Sequence, residues 1–323
     1  MSNLWRSTAS IENLKKRAEI LARIRTFFAA RNVLEVETPL MTSAAVSDPY
    51  IDTIECRYHP VPGQQESIRY LQSSPEYAMK RLLASGSGSI YQICKAFRNG
   101  EAGRRHNPEF TMLEWYRVGF DHLQLMDEVE SLVLPILHID ACQRYSYVEL
   151  FQRYLNIDPH SASLQKLQQL TREHIELDLE DNNRDNWLNL LMSHVIEPQL
   201  AQQDAVFVYD YPASQAALSR VTSDSEGRQI ACRFELFIRG IELANGYFEL
   251  TDATEQARRF QQDIEQRQLE DLPQRPTDGL LVDALSAGMP DCAGVAIGLD
   301  RLVMLAINSE QISDVIALPF DRA

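Results

Sequence analysis

Arg98, Arg104, Arg105 and His106 stand close together in a run otherwise made of Asn99, Gly100, Glu101, Ala102 and Gly103. Strand-like sequence flanks them on both sides. Upstream, Ile90, Tyr91, Ile93, Cys94 and Phe97 give a β-rich stretch. Downstream, Phe110, Met112, Glu114 and Tyr116 share one face at period two, and Thr111, Leu113, Trp115 and Arg117 share the other. A strand, a basic loop and a second strand suit a polyanion: guanidinium groups pair with phosphate oxygens, and Phe110 offers a flat surface for a base. The plainer alternative is a solvated hairpin with a charged tip.

A second constellation is acidic. Ala205 to Tyr211 reads as an apolar strand leading into Pro212, and Cys232–Ile238 with Ile241–Ala244 reads as a hairpin around Arg239-Gly240. With those two residues as the loop, Glu235 falls opposite Ala244 and Glu242 opposite Phe237, all on one face. The carboxylates are then diagonal neighbours roughly 7 Å apart at the backbone. Such a pair repels unless a cation lies between, which is how oxygen ligands hold Mg²⁺ beside a nucleotide. A solvated acidic face is the alternative, but Phe234, Leu236, Ile238, Ile241 and Leu243 point to a central strand.

The elements that must position these groups follow from pattern. Ile11, Leu14, Ala18, Leu21, Ile24 and Phe28 form one stripe of a helix over 11–31, followed by a strand over 33–39 that Pro39 closes. Residues 40–70 read as strands and loops. A helix starts at Ser74-Pro75-Glu76, with serine as N-cap and proline in the first position, and ends near Gly86. Gly86-Ser87-Gly88 lacks the lysine and spacing of a phosphate loop and reads as a helix end. Residues 122–204 are mostly helical, with helices over 122–138, 146–155, 163–174 and 185–200 and a capping box at Ser146 and Glu149. The histidines there share no spacing and form no ligand set. A helix over 252–270 carries a capping box of Asp252 and Glu255, a short helix ends at Gly288, and the small-residue strand Ala293–Gly298 feeds a helix at Asp300-Arg301.

Composition bounds the function classes. The chain has 323 residues, 45% of them apolar, enough for a sizeable core. It carries no apolar run of membrane-spanning length and no leader pattern, so the expectation is a cytoplasmic protein. Cys56, Cys94, Cys142, Cys232 and Cys292 lie far apart, which argues against a disulfide framework and against zinc. A net charge of −15 opposes a broad nucleic-acid footprint, so extended tRNA binding is not expected.

Taken in order, three stretches resemble the class II aminoacyl-tRNA synthetases. Phe97–Tyr116 is similar to motif 2 of the lysine branch, F-R-N-E…R-H-N-P-E-F-T…E-x-Y. The helix, strand and proline over 11–39 resemble motif 1, which forms the dimer interface in that family. Gly298-Leu299-Asp300-Arg301 resembles motif 3, G-x-D-R. The resemblance covers about Leu14 to Phe320. It implies an α+β class II synthetase catalytic fold, an antiparallel β-sheet flanked by helices, as a single domain over 1–323 with a helical insertion at about 122–204. The sequence before the motif 1 helix is too short for the anticodon-binding domain that precedes the catalytic domain of lysyl-tRNA synthetase. That narrows the resemblance to the free-standing elongation factor P β-lysine ligases, which activate (R)-β-lysine as an adenylate and pass it to a lysine side chain of elongation factor P.

The resemblance further implies site residues, with ATP and Mg²⁺ as cofactors and a homodimer. Arg98 would grip the α-phosphate and Arg301 the γ-phosphate as the catalytic pair. Asn99, Gly100, His106, Asn107, Phe110, Glu242, Leu243 and Gly298 would complete the ATP site, with Phe110 stacking on adenine, and Glu235 with Glu242 would hold Mg²⁺. Ser74, Pro75, Glu76, Glu114, Tyr116, Asn245, Glu249 and Ala296 would surround the amino acid, its ammonium groups on Glu76, Tyr116 and Glu249. A regular pleat would turn Asn245 away from Glu242, so a bulge at Asn245-Gly246 is expected. Gly100 stands where lysyl-tRNA synthetase has a glutamate, with Glu101 displaced by one. Ala244 and Ala296 stand where it has glycines and the β-lysine ligases have alanine. A truncated lysyl-tRNA synthetase using α-lysine is the nearest competing reading. A non-catalytic regulatory paralogue is the other, and it is weakened by the presence of Arg98, Arg301, Glu235 and Glu242.

Overall fold

The computed structural model describes residues 5–177 and 179–323. Along the chain run α1 (Ile11–Ala29), β1 (Leu34–Glu35), β2 (Met41–Thr42), β3 (Glu55–Tyr58), β4 (Ser67–Leu71), α2 (Glu76–Ala84), β5 (Ile90–Phe97) and β6 (Glu109–Val118). Then come α3 (His122–Leu137), β7 (Gln143–Ser146), α4 (Tyr147–Leu155), α5 (Leu164–His174), α6 (Arg184–Leu191), α7 (Glu197–Leu200), β8 (Ala205–Pro212) and β9 (Val221–Ser223). The rest is β10 (Gln229–Ile238), β11 (Ile241–Phe248), α8 (Ala253–Leu269), α9 (Gly279–Gly288), β12 (Cys292–Gly298) and α10 (Leu299–Ala306). These form two compact units: Met1–Gly119 with Thr251–Cys292 and Ala296–Ala323, and Phe120–Leu250 with Ala293–Val295. The strand pairs described in both are antiparallel except β1 with β5 and β7 with β8, and helices pack on them, the α+β architecture that the motifs imply.

In the first unit, Ser10 caps α1 through its side chain, and the helix buries Ile20, Ile24 and Phe28. Phe28 stacks on Tyr91 of β5 with ring centroids 4.3 Å apart and meets Trp115 of β6 edge-on at 5.3 Å. Two adjacent strands thereby gain a common apolar floor. The strand expected over 33–39 is only two residues long. Its last link to β5 is the Val36 amide donating to the Tyr91 carbonyl at 2.9 Å, and Pro39 has no N–H with which to continue. β5 and β6 pair from Ile90↔Tyr116 to Phe97↔Glu109, leaving 98–108 as the loop between them. The weakly patterned region 40–70 holds a small sheet in the order β2–β4–β3. α8 is capped by the Asp252 side chain, as expected, but Glu255 does not close a capping box: its carboxylate is taken by Arg258 and Arg259.

The second unit holds the strand order β11–β10–β8–β7, with β9 on the outer half of β10. Inside it, α4 to α7 bury Tyr147, Phe151, Trp187, Leu188 and Leu191 together with Val206, Val208 and Phe237 of the strands. The capping box of Ser146 and Glu149 is formed. The helix expected over 185–200 is broken instead by a π-turn at Met192–Ile196. The cause is Pro198: its missing N–H and its ring disfavour an unbroken α ladder, and a widened turn absorbs the misfit. Among the described residues no helix is long and apolar enough to cross a membrane.

Candidate active site

The basic loop is organised from its ends inward. Asn99 is tied to Asp52 by its backbone amide at 2.9 Å and by its side-chain amide at 2.6 Å. Gly100 follows with φ +75°, a left-handed conformation that the glutamate usual in the lysine branch would adopt only under strain. Glu101 reaches back to Arg98 at 3.5 Å, and the Arg98 guanidinium lies 5.2 Å from the centre of the Phe110 ring. Across the loop, Arg301 donates to His106 Nε2 at 2.7 Å. A guanidinium only donates, so His106 accepts there and is neutral. Its pKa is lowered by partial burial and then by the Arg301 charge, which agrees with that role. Asn107 is committed to the backbone, donating to the Glu109 carbonyl at 2.5 Å and accepting from the Phe320 amide at 3.0 Å.

Arg301 owes its place to its neighbour. Asp300 is 2% exposed, pairs with Arg17 at 2.6 Å and accepts the Thr111 amide at 2.7 Å, so it fastens the start of α10 to α1 and β6. The sequence reading gave Asp300 no role; a carboxylate beside a helix start in an apolar run was the available signal.

Ser74, Glu76, Glu114 and Tyr116, expected from the sequence to surround an amino acid, lie in the same unit and form an acidic, hydroxyl-lined group. The Ser74 hydroxyl donates to Glu114 Oε1 at 2.6 Å while accepting the Glu76 amide at 3.0 Å, and the Tyr116 hydroxyl donates to Glu114 Oε2 at 3.1 Å. The cap of α2 is Pro75 rather than Ser74, because the Ser74 side chain closes a tight turn two residues on and is shared with Glu114. Lys80, 1% exposed, sits one turn below Glu76 and meets its Oε1 at 2.6 Å. Sequence reasoning missed it, although the i,i+4 spacing from Glu76 was legible. Burial pushes the Cys94 thiol up to about 12, with the Glu114 charge adding to it, so this cysteine is inert beside the group.

In the second unit the turn at Arg239-Gly240 is as expected, with both residues at positive φ. The register is not. Phe237 faces Glu242, but Leu236 faces Ala244 and Glu235 faces Asn245, so the extra residue is Leu243. The bulge therefore lies two residues earlier than expected and does the job required of it: Glu235, Glu242 and Asn245 come to one face. Leu243 has an apolar side chain to bury, 3% exposed, which makes it the better residue to spend there. Further along, Gly246 faces Phe234, and a Cβ on Gly246 would stand 2.3 Å from that ring.

Glu235 is held rather than loose. Tyr211 donates to its Oε2 at 2.7 Å, and Arg233 pairs with its Oε1. Glu242 is exposed. Burial and then the Glu235 charge raise the Glu197 carboxyl, placing a third acidic group in the field of this hairpin. Among the described residues no cluster of three or more His, Cys, Asp or Glu side chains could enclose a metal. Two hard carboxylates, one fixed and one solvent-facing, suit Mg²⁺, which takes one or two protein oxygens and completes its shell with phosphates and water. Glu249 is 1% exposed, and its carbonyl accepts from Arg220 at 2.9 Å. In the first unit, Ala296 and the N-capping Gly298 are two residues apart on β12, and each is half-buried.

A basic loop closed by an arginine at a helix start, with an acidic pocket on the adjoining strand, is the arrangement of a class II synthetase motif 2 and motif 3. The chain belongs to that family: the profile of the class II tRNA synthetases (D, K and N) matches residues 2–322. Among curated relatives, it is 51% identical to an elongation factor P (R)-β-lysine ligase of Yersinia enterocolitica and 50% identical to those of Salmonella dublin and Salmonella typhimurium. Each alignment covers 99% of this chain and 98% of the relative.

Proposed function

We infer that this chain is an ATP-dependent ligase that activates (R)-β-lysine as its adenylate and transfers it to a lysine side chain of elongation factor P. The observation that carries the reading is the half-identity to ligases of that name along their whole length. The site chemistry agrees with it. Arg98 and Arg301 bind the triphosphate, with neutral His106 orienting Arg301 and Phe110 under the base. Asn99, Gly100, Asn107, Leu243 and Gly298 shape the nucleotide site through backbone. Glu76, Glu114, Tyr116 and Glu249 take the ammonium groups of the amino acid. Ser74 fixes Glu114, and Pro75 starts the helix that carries Glu76.

In the first step the substrate carboxylate, already ionised at neutral pH, attacks the α-phosphate, and pyrophosphate leaves. No general base is needed, and the work of the protein is alignment and neutralisation of charge by the arginines. Glu235 and Glu242 would hold Mg²⁺, which would supply further neutralisation of the phosphates. In the second step the acceptor ε-amine, with an ordinary pKa of about 10.4, loses a proton and attacks the adenylate carbonyl; an amide forms and AMP leaves. The enzyme works as a cytoplasmic homodimer through α1 and β1. The test is pyrophosphate exchange with α-lysine and both β-lysine enantiomers, followed by labelling of elongation factor P. Exchange with (R)-β-lysine and modification of the factor are expected. Exchange with α-lysine alone, together with charging of lysine tRNA, would replace this reading with that of a truncated synthetase.

A further inference from the structure

Lys80 has no place in the reaction as described so far, yet it brings into the protein the same kind of group that the substrate carries, an ammonium on an alkyl stem. It is 1% exposed. On α2 it stands one turn after Glu76, and its Nζ donates to Glu76 Oε1 at 2.6 Å. Glutamate four residues ahead of lysine is the favourable order on a helix, and burial makes the pairing necessary, since an ammonium at that depth is costly without a counter-charge. The Glu76 backbone is fixed as well. Its amide donates to Ser74 Oγ at 3.0 Å, and the same hydroxyl donates to Glu114 Oε1 at 2.6 Å. Two carboxylates are thus joined through one serine, with a resident cation on the first.

The consequence falls on the other oxygen of Glu76. Its side chain is 16% exposed, and among the described residues no group bonds Oε2. The last torsion of a glutamate is broad, so a carboxylate with both oxygens open can turn and accept a cation from many directions. With Oε1 held by Lys80 that turn is blocked, and one oxygen is left in a fixed direction. Lys80 also cancels a unit of charge. Glu76 then offers a directed hydrogen bond rather than a bare negative field.

We propose that Lys80 is a positioning residue that occupies Glu76 Oε1 and so presents Oε2, in one fixed direction, to a single ammonium group of the substrate. The claim rests on the β-lysine reading above. It makes Glu76 sensitive to where an amine sits along the substrate: an amine delivered to Oε2 is held, and one displaced by a carbon meets an oxygen already taken. A carboxylate freed of Lys80 would attract any cation and orient none.

The test uses the full chain with Lys80→Met, Glu76→Gln and the double variant, each followed by its melting temperature. Methionine keeps an unbranched, flexible side chain without the charge. Pyrophosphate exchange gives KM for (R)-β-lysine and for ATP. Its inhibition is measured with 6-aminohexanoate and 3-aminohexanoate, each of which lacks one of the two amines. Lys80→Met should raise KM for (R)-β-lysine about tenfold or more, the order of one misplaced charge-assisted hydrogen bond, with KM for ATP within about twofold. It should weaken the same monoamine that Glu76→Gln weakens and spare the other. The double variant, with neither charge, should melt near wild type and keep the KM of Glu76→Gln, because Lys80 acts through Glu76. An unchanged KM for (R)-β-lysine in Lys80→Met overturns the proposal. So does a parallel rise for (R)-β-lysine, ATP and both monoamines, which marks a residue that merely holds the fold. Should Lys80→Met fail to fold, Glu76→Gln against the double variant decides: equal KM values support the proposal and a further rise overturns it. If wild type shows no exchange with (R)-β-lysine, the functional reading itself fails and this inference with it, whereas normal wild-type exchange with an insensitive Lys80→Met sinks only the inference.

Discussion

At the scale of single residues, the carboxylate pair gives the sharpest expectation. Glu242 is exposed, so Glu242→Gln perturbs little packing, whereas a change at Glu235 would strand the half-buried Arg233 charge. Glu242→Gln should cut pyrophosphate exchange by about a hundredfold or more with an unchanged melting temperature; near-normal exchange would remove the metal from this hairpin. In the proposed site, selectivity is expected to depend on Ala296. One methyl is worth roughly tenfold to two hundredfold in kcat/KM, so Ala296→Gly should move the ratio of kcat/KM for α-lysine over (R)-β-lysine by that order, in favour of α-lysine. If the ratio stays put, Ala296 is a packing residue and Ala244, 1% exposed on β11, is the next candidate.

The elements carry their own tests. Gly246 passes beneath the fully buried Phe234 ring, so Gly246→Ala should cost about 1–3 kcal/mol of overpacking, measurable as a lower midpoint in urea. On α8, hydrogen bonds from Arg258 and then from Arg259 hold Glu255 down to about 2. A depressed carboxyl stabilises fully above its ordinary pKa of about 4.3, and that contribution is lost as pH falls through about 2. Thermal unfolding of Glu255→Gln should therefore converge with wild type near pH 2 and differ most above pH 5; a constant gap would show that Glu255 acts through packing. The sequence made β5, the basic loop, β6 and the turn at Arg239-Gly240 legible, because alternation and positive-φ turns are local properties. It did not place the bulge: nothing in Glu242-Leu243-Ala244-Asn245 says which residue will be skipped, and the choice is made by what Leu243 buries. Nor did it show that Asn107 is committed to the Phe320 amide, a partner more than two hundred positions away.

For the molecule as a whole, assembly state is the open expectation. Ile11 of α1 and Leu34 of β1 are 66% and 55% exposed, apolar groups on the two elements assigned to the dimer. Light scattering at micromolar concentration should give twice 36.9 kDa, and Leu34→Glu should shift that mass toward the monomer. A wild-type monomer would show that α1 serves only its own unit. The first unit is also discontinuous in the chain: Thr8 meets Ser313 and Ile316, Arg17 meets Asp300, and His106 meets Arg301. The basic loop over 98–108 is thus made early on the ribosome, while Asp300 and Arg301, which meet Arg17 and His106, are made in the last tenth of the chain. The intervening residues 120–250 can collapse while still tethered, but the contact of Arg301 with His106 has to wait. On the proposed function, a nascent or prematurely ended polypeptide is by this arrangement silent, unable to spend ATP or release a reactive adenylate before synthesis is done.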